Sequence, residues 1–121
     1  MSATAMALAA FVATEHLAFL VLEMFLWQKP IGLRFFRQTP DIAAASAALA
    51  ANQGLYNGFL AAGIVAGLAI GNTGASFALV AFSLSCVIVA GIFGALTVSW
   101  RTLVLQTLPG AAALAALVFL R

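Results

Sequence analysis

Residues 14–27 read TEHLAFLVLEMFLW, and this stretch sets the problem that the rest of the chain must solve. It is apolar enough to cross a membrane as a helix. However, it holds two of the three acidic residues, Glu15 and Glu23, and the only histidine, His16. An ionised side chain at the centre of such a helix costs roughly 2.5–3.5 kcal/mol, whereas Leu or Phe returns only about 0.3–0.6 kcal/mol. The chain must therefore hide, neutralise or pair these groups, which predicts a polar site within the membrane.

The composition indicates a polytopic membrane protein. Of the 121 residues, 65% are hydrophobic and 7% are charged, and the mean hydropathy is +1.17. A soluble domain carries about 25% charged residues. The net charge is +2, and almost all of the five basic residues lie between apolar segments. This distribution is typical of loops that set membrane topology and not of a nucleic-acid-binding surface. We therefore expect the lipid bilayer as the surroundings of the chain and no nucleic acid as a partner.

Four apolar segments are long enough to cross the ~30 Å hydrocarbon layer, which requires ~20 residues each. They cover approximately residues 4–27, 48–70, 76–97 and 102–120. The sequence therefore predicts an all-α membrane protein, with residues 1–121 forming a single four-transmembrane-helix bundle. Residues 28–41 form its longest connection, in which Asp41 is positioned to cap a helix that begins before the membrane does.

The basic residues predict the orientation of the bundle. Four of the five lie in the first and third connections, at Lys29, Arg34, Arg37 and Arg101, and the fifth is Arg121. Because cytoplasmic loops carry the excess of Lys and Arg, we expect the connection 28–41 in the cytoplasm and both termini outside.

Polar residues of the four segments fall on one side of each predicted helix. At 100° per residue, the ionisable groups of the first segment lie within an arc of roughly 100°, and the polar groups of the second lie within roughly 140°. Four such stripes turned inward would form one polar compartment, open toward the cytoplasm and closed outside by the small residues Gly63, Gly67 and Gly71. The candidate catalytic residues are Glu15, His16 and Glu23, and the candidate ligand-binding residues are Asn52, Gln53, Tyr56, Asn57, Thr97 and Gln106.

These residue types fit proton transfer and polar binding better than metal chemistry. Glu15 and His16 are adjacent, so their side chains diverge and are expected to meet partners on other helices. His16 and Glu23 are separated by about 10.5 Å of helical rise, too far to share one ion, and there is no second histidine. The sequence therefore predicts no metal site, and it contains no cofactor motif.

The same residues carry a resemblance to a known family. The motifs are EH at 15–16, LEMFLW at 22–27, NQGLYNG at 52–58, GALT at 94–97 and Gln106-x-x-Pro109. Together they resemble a family of small bacterial four-span membrane proteins that is described only as a domain of unknown function. Gly110 stands where that family tends to carry Ala. The resemblance implies a multi-pass protein of the bacterial cytoplasmic membrane with a shared polar set, and it implies no established activity.

Three functions are compatible with these sequence features. The first is a cytoplasm-facing compartment that binds a small polar or amphipathic ligand, with isomerase-like proton transfer as the simplest chemistry. The second is a homodimeric proton-coupled transporter of small solutes, in which Glu15 would carry the proton. The third is a structural membrane subunit, in which the polar residues only hold helices together. His16 and a protonated Glu15 would then bond to Tyr56 or Asn57, and Glu23 would pair with Arg101 or Arg34 at the membrane interface.

Overall fold

The computed structural model describes residues 1–120, which form helices and short connections with no β-strand. The helices are α1 (Ala3–Met24), α2 (Pro30–Phe36), α3 (Pro40–Ile70), α4 (Gly74–Thr97), a π-helical turn (Leu103–Thr107) and α5 (Leu108–Phe119). The all-α prediction is therefore confirmed. The connection 28–41 itself contains a helix, α2, which the sequence had not predicted.

Three helices are long and apolar enough to cross a membrane: α1 with 22 residues, α3 with 31 and α4 with 24. The C-terminal helical stretch Leu103–Phe119 is apolar but shorter. The structure thus shows three candidate spans and a shorter fourth segment where four spans were predicted. Helix α3 begins at Pro40, well before the predicted start of the second span near residue 48.

Hydroxyl side chains begin the three long helices. Ser2, Thr39 and Thr73 each accept a hydrogen bond from the backbone N–H three residues later, at 3.1, 3.3 and 3.1 Å. These bonds satisfy amide groups that a helix leaves unpaired at its first turn. The cap of α3 is therefore Thr39 and not Asp41. Asp41 lies in the first turn, where its charge complements the helix dipole.

The chain divides into two compact units, which we call the terminal unit and the central unit. The terminal unit contains Met1–Thr14 and the described residues from Leu60 onward, and the central unit is Glu15–Phe59. The terminal unit has an apolar core of Ala5, Ala9, Val12, Ala13, Ala61, Ile64, Val80, Leu84, Val87, Ala113, Ala116 and Leu117. Many of these side chains are alanine, so the helices of this unit approach one another closely.

Glycines bring α3 and α4 together in the terminal unit. A methyl group on Gly63 would collide with the hydroxyl of Ser83, and one on Gly67 would lie 2.5 Å from Cγ2 of Val80. The hydroxyl of Ser76 donates to the carbonyl oxygen of Gly67 at 2.6 Å. The predicted packing role is therefore confirmed for Gly63 and Gly67, but not for Gly71, where a methyl group would meet no atom of another described helix within 4 Å and the backbone adopts a positive φ of 93° after the end of α3.

A π-helical turn lies against α4, just before Pro109. The N–H of Leu108 bonds to the carbonyl oxygen of Leu103, five residues earlier. The hydroxyl of Thr102 donates to the carbonyl oxygen of Gly91 at 2.7 Å, and that of Thr107 donates to α4 at 3.2 Å. Because a proline has no N–H to donate, the helix cannot keep its regular bonding across this point, and the wider turn accommodates the change.

Candidate functional site in the central unit

The central unit contains a buried hydrogen bond between two long helices. The Nδ2 atom of Asn57 on α3 donates to the Oε1 atom of Glu23 on α1, at 2.5 Å. Asn57 is 4% exposed and Glu23 is 9% exposed. A buried carboxyl group without a donor would be costly, so this bond is what allows Glu23 to sit between the helices.

Two glycines beside this pair allow the helices to approach. A methyl group on Gly54 would lie 2.7 Å from Cγ of Met24 and 3.2 Å from the carbonyl oxygen of Leu20. A methyl group on Gly58 would lie 2.6 Å from Cδ1 of Leu20. Gly54 and Gly58 are four residues apart, so they lie on one face of α3, next to Asn57. This spacing is the sequence signal for a close helix contact, and it was missed in the sequence analysis.

His16 is fully buried within the chain. Its ring meets the ring of Phe19 edge-on, with centroids 5.2 Å apart. Phe19 in turn contacts Phe35 of α2 at 6.5 Å, and Phe35 contacts Phe36 at 4.9 Å. The histidine therefore belongs to an aromatic cluster that ties α1 to the short helix α2.

Trp27 fastens the other end of this cluster to α3. Its ring lies 4.7 Å from that of Phe36, and its Nε1 atom donates to the carbonyl oxygen of Ala43 at 3.1 Å and to the hydroxyl of Ser46 at 3.2 Å. The sequence did not indicate Phe35 and Ser46 as partners in the central unit. Their contacts cross three helices, and no local pattern reports such contacts.

Glu15 lies one residue before the buried histidine and is half-buried. Its Oε1 atom is inaccessible to solvent and has no hydrogen-bond partner among residues 1–120. A carboxyl oxygen in this position has the capacity to accept a further hydrogen bond or to hold a proton. Glu15 therefore differs from Glu23, whose Oε1 atom is already bonded to Asn57.

Three of the candidate ligand-binding residues lie on the surface of the central unit. Asn52 and Gln53 are exposed, and Tyr56 is 50% exposed with its ring 6.0 Å from that of Phe59. All three are on α3 with Asn57. Asn52 and Tyr56 lie on faces that turn away from Asn57, whereas Gln53 is one turn before Asn57, on the same side of the helix. The structure thus brings Asn57 to Glu23 and leaves these three side chains accessible.

The last two candidates belong to the terminal unit. Thr97 is exposed at the end of α4, where its hydroxyl donates to the carbonyl oxygen of Phe93 at 2.7 Å. Gln106 is half-buried in the π-helical turn, near Gly91. The other seven candidates, from Glu15 to Asn57, are all in the central unit.

Three helices that are long and apolar enough to cross a membrane, together with the buried hydrogen bond between α1 and α3, indicate a helical membrane protein. Residues 10–118 match the family described as "Protein of unknown function (DUF1304)". The chain therefore belongs to this family. Neither the curated proteins nor the solved structures contain a match to the chain.

Proposed function

We propose that this integral membrane protein binds a small polar or amphipathic ligand in its central unit, from the cytoplasmic side. The observation that carries the proposal is the buried Glu23–Asn57 hydrogen bond, with the ionisable residues Glu15 and His16 on the same helix. Ionisable residues inside membrane segments are rare because they are expensive, and they generally mark pathways or binding sites. In a helix that served only as a membrane anchor, Leu at positions 15, 16 and 23 would avoid the cost of placing Glu15, His16 and Glu23 in the membrane.

The surface of the helices supports the membrane placement. In the apolar windows of α1, α3 and α4, only 33%, 28% and 28% of residues are buried within the chain. Exposed hydroxyl groups on these helices, at Thr14, Ser85 and Thr97, each donate to the carbonyl oxygen four residues earlier. A hydroxyl bonded in this way has no need of water, which suits a side chain that faces lipid.

The chemistry that fits these residues is proton transfer. Glu15 has a buried carboxyl oxygen with capacity for a ligand, and Glu23 is held in place by Asn57. In an isomerase-like reaction, one group would remove a proton from a ligand atom and a second group would return a proton to another ligand atom. The exposed amides of Asn52 and Gln53 and the hydroxyl of Tyr56 would then contact the ligand as it approaches. Thr97 and Gln106 lie in the terminal unit, so neither is part of this proposal.

A structural role is the second candidate, and the same hydrogen bond favours it. Asn57 and Glu23 bond to each other, and Gly54 and Gly58 close the helices around them. Such an arrangement also describes a clamp whose only task is to hold α1 against α3.

The test separates the two candidates with a variant that preserves shape. Glu23→Gln keeps an acceptor for Asn57 but cannot exchange a proton. The purified protein in lipid nanodiscs is screened for thermal stabilisation by small polar and amphipathic metabolites, beside Glu23→Gln, Glu15→Gln and the control Ser85→Ala on the exposed face of α4. The proposal predicts a compound that stabilises the wild type and Ser85→Ala, and stabilises the two glutamate variants less.

Three outcomes decide the matter. Loss of ligand stabilisation in Glu23→Gln, with an unchanged melting temperature of the free protein, supports a binding site. A screen in which no compound stabilises the wild type, while Asn57→Leu unfolds the protein, supports the clamp. Uptake of a solute into proteoliposomes that requires a pH gradient, and stops in Glu15→Gln, would replace the proposal with a transporter.

A further inference from the structure

Three cations lie in or next to the short helix α2: Arg34 within it, Lys29 just before it and Arg37 just after it. Lys29, Arg34 and Arg37 are all exposed, and we call this group the cationic turn. We propose that the cationic turn binds the headgroup phosphate of an anionic phospholipid, so that this protein associates selectively with anionic lipid. This inference concerns a surface that is separate from the Glu23–Asn57 contact and does not depend on it.

Arg37 adopts a backbone conformation that normally calls for glycine. Its φ of 53° and ψ of 47° are left-handed, and it is the single non-glycine residue with positive φ in the described chain. The N–H of Arg37 bonds to the carbonyl oxygen of Arg34 at 3.4 Å, and that of Gln38 bonds to Leu33 at 2.9 Å. This pair of bonds is typical of a helix end with glycine at the left-handed position. Glycine adopts this conformation without steric strain, whereas the side chain of arginine adds strain. The backbone therefore gains nothing from arginine here, which points to a use for the guanidinium group.

The backbone that carries the three cations is packed against neighbouring aromatic residues. Helix α2 packs through Phe35 and Phe36 onto Phe19 and Trp27, and a methyl group on Gly32 would collide with the carbonyl oxygen of Leu26. The base of each cationic side chain is thereby fixed by a packed turn, so less freedom is lost when a phosphate binds. Arginine also presents several N–H donors in a planar fork that matches phosphate oxygens.

The surroundings select a lipid over a soluble anion. Ile31 on α2 is 56% exposed, and Phe25 and Ile42 on either side of the connection are 66% and 56% exposed. These side chains would enter the acyl region next to a headgroup, whereas a free phosphate would give them no contact. The segment 28–41 contains a single acid, Asp41, against the three cations, so it attracts negative charge.

The experiment uses the fluorescence of Trp27, which packs against Phe36 of α2, to report lipid binding. The chain has two tryptophans, so the variant Trp100→Phe leaves Trp27 as the sole tryptophan. This variant is reconstituted in phosphatidylcholine bilayers in which either brominated phosphatidylglycerol or brominated phosphatidylcholine quenches the fluorescence of Trp27. We expect preferential quenching by the anionic lipid, and we expect the preference to fall as salt is raised.

Substitutions then assign the preference to the cationic turn. Arg37→Gly fits the left-handed backbone, so the turn should fold at least as well, yet the association constant for phosphatidylglycerol relative to phosphatidylcholine should fall about fivefold. Arg34→Gln should lower it by a similar factor. The matched control is Arg121→Gln, which removes the same charge from the other end of the sequence and should leave the preference intact.

The proposal fails on any of three results. Equal quenching by the two lipids would show no selectivity. An equal loss of preference in Arg121→Gln would assign it to net charge and not to this turn. Displacement of the brominated phosphatidylglycerol by an equimolar amount of inorganic phosphate would identify a site for a soluble anion.

Discussion

The side-chain amide of Asn57 donates a hydrogen bond to the carboxyl group of Glu23, and 34 positions of sequence separate the two residues. The bond joins α1 to α3 inside the central unit, with both partners buried. An amide suits this role because it can donate to the carboxyl group without adding a second charge to a low-dielectric site. The pair is thus a specific helix–helix contact, and substitutions can remove each partner separately.

The first prediction concerns the strength of this contact. Asn57→Leu should destabilise the protein by about 1–3 kcal/mol, because it leaves the buried Glu23 carboxyl group without its donor. A double-mutant cycle with Glu23→Leu should yield a coupling free energy of about 0.6 kcal/mol and at most about 1.7 kcal/mol, the average and the maximum found for hydrogen bonds between membrane helices. The measurement is reversible unfolding in mixed micelles. A coupling energy of zero would mean that the two side chains do not interact in the folded protein.

The second prediction distinguishes the two glycines that flank the pair. Gly54→Ala should cost about 1–3 kcal/mol, because the new methyl group meets the backbone carbonyl oxygen of Leu20 as well as Met24. Gly58→Ala should cost less, because it meets only the mobile end of the Leu20 side chain. Gly74→Ala, with nothing within 4 Å, is the control and should be neutral.

A rescue experiment strengthens the comparison. Leu20→Ala should remove the steric penalty of Gly58→Ala, since no other atom lies within 4 Å of that position. It should not remove the penalty of Gly54→Ala, where Met24 and the backbone remain. Both double variants are compared with Leu20→Ala alone by the same unfolding assay. Equal rescue at both glycines would contradict this packing.

The third prediction tests the close fit of the π-helical turn against α4. A methyl group on Gly91 would collide with the hydroxyl of Thr107 and would lie 2.8 Å from its backbone nitrogen. Gly91→Ala should therefore destabilise the terminal unit by about 1–3 kcal/mol. Thr107→Ala should give only partial relief, because the backbone nitrogen cannot be removed. Complete rescue by Thr107→Ala would show that the backbone of this turn is free to move away.

The fourth prediction concerns orientation, which follows from the basic residues of the connection 28–41. In a Cys86→Ala background, Asp41→Cys should react with a membrane-impermeant maleimide only after the cytoplasmic face is opened, whereas Ala75→Cys should react in intact cells. The unsubstituted protein, whose single cysteine is Cys86 on α4, is the control and should react slowly from either side. The reverse labelling pattern would overturn the predicted orientation.

The sequence by itself determined the class of this protein. Composition and segment length predict helices able to cross a membrane, because 65% of the 121 residues are hydrophobic and only 7% are charged, and the structure has three helices of the required length and apolarity. The hydroxyl caps are local features as well, but the sequence pattern favours Asp41 at the start of α3, where the structure has Thr39. The close packing at Gly63 and Gly67 follows from their spacing on one helix face.

Only the tertiary structure decided which polar residues meet. The sequence placed Asn57 and Tyr56 as alternative partners of Glu15 or His16, whereas the structure gives Asn57 to Glu23 and exposes Tyr56. A helical stripe roughly 140° wide fixes which residues can face inward but not how far a helix rotates about its axis. That rotation depends on the close approach of α3 to α1 at Gly54 and Gly58. It also depends on how the rings of Phe19, Phe35 and Trp27 pack beside these helices. These are contacts between distant segments, so their outcome depends on packing that no single stretch of sequence contains.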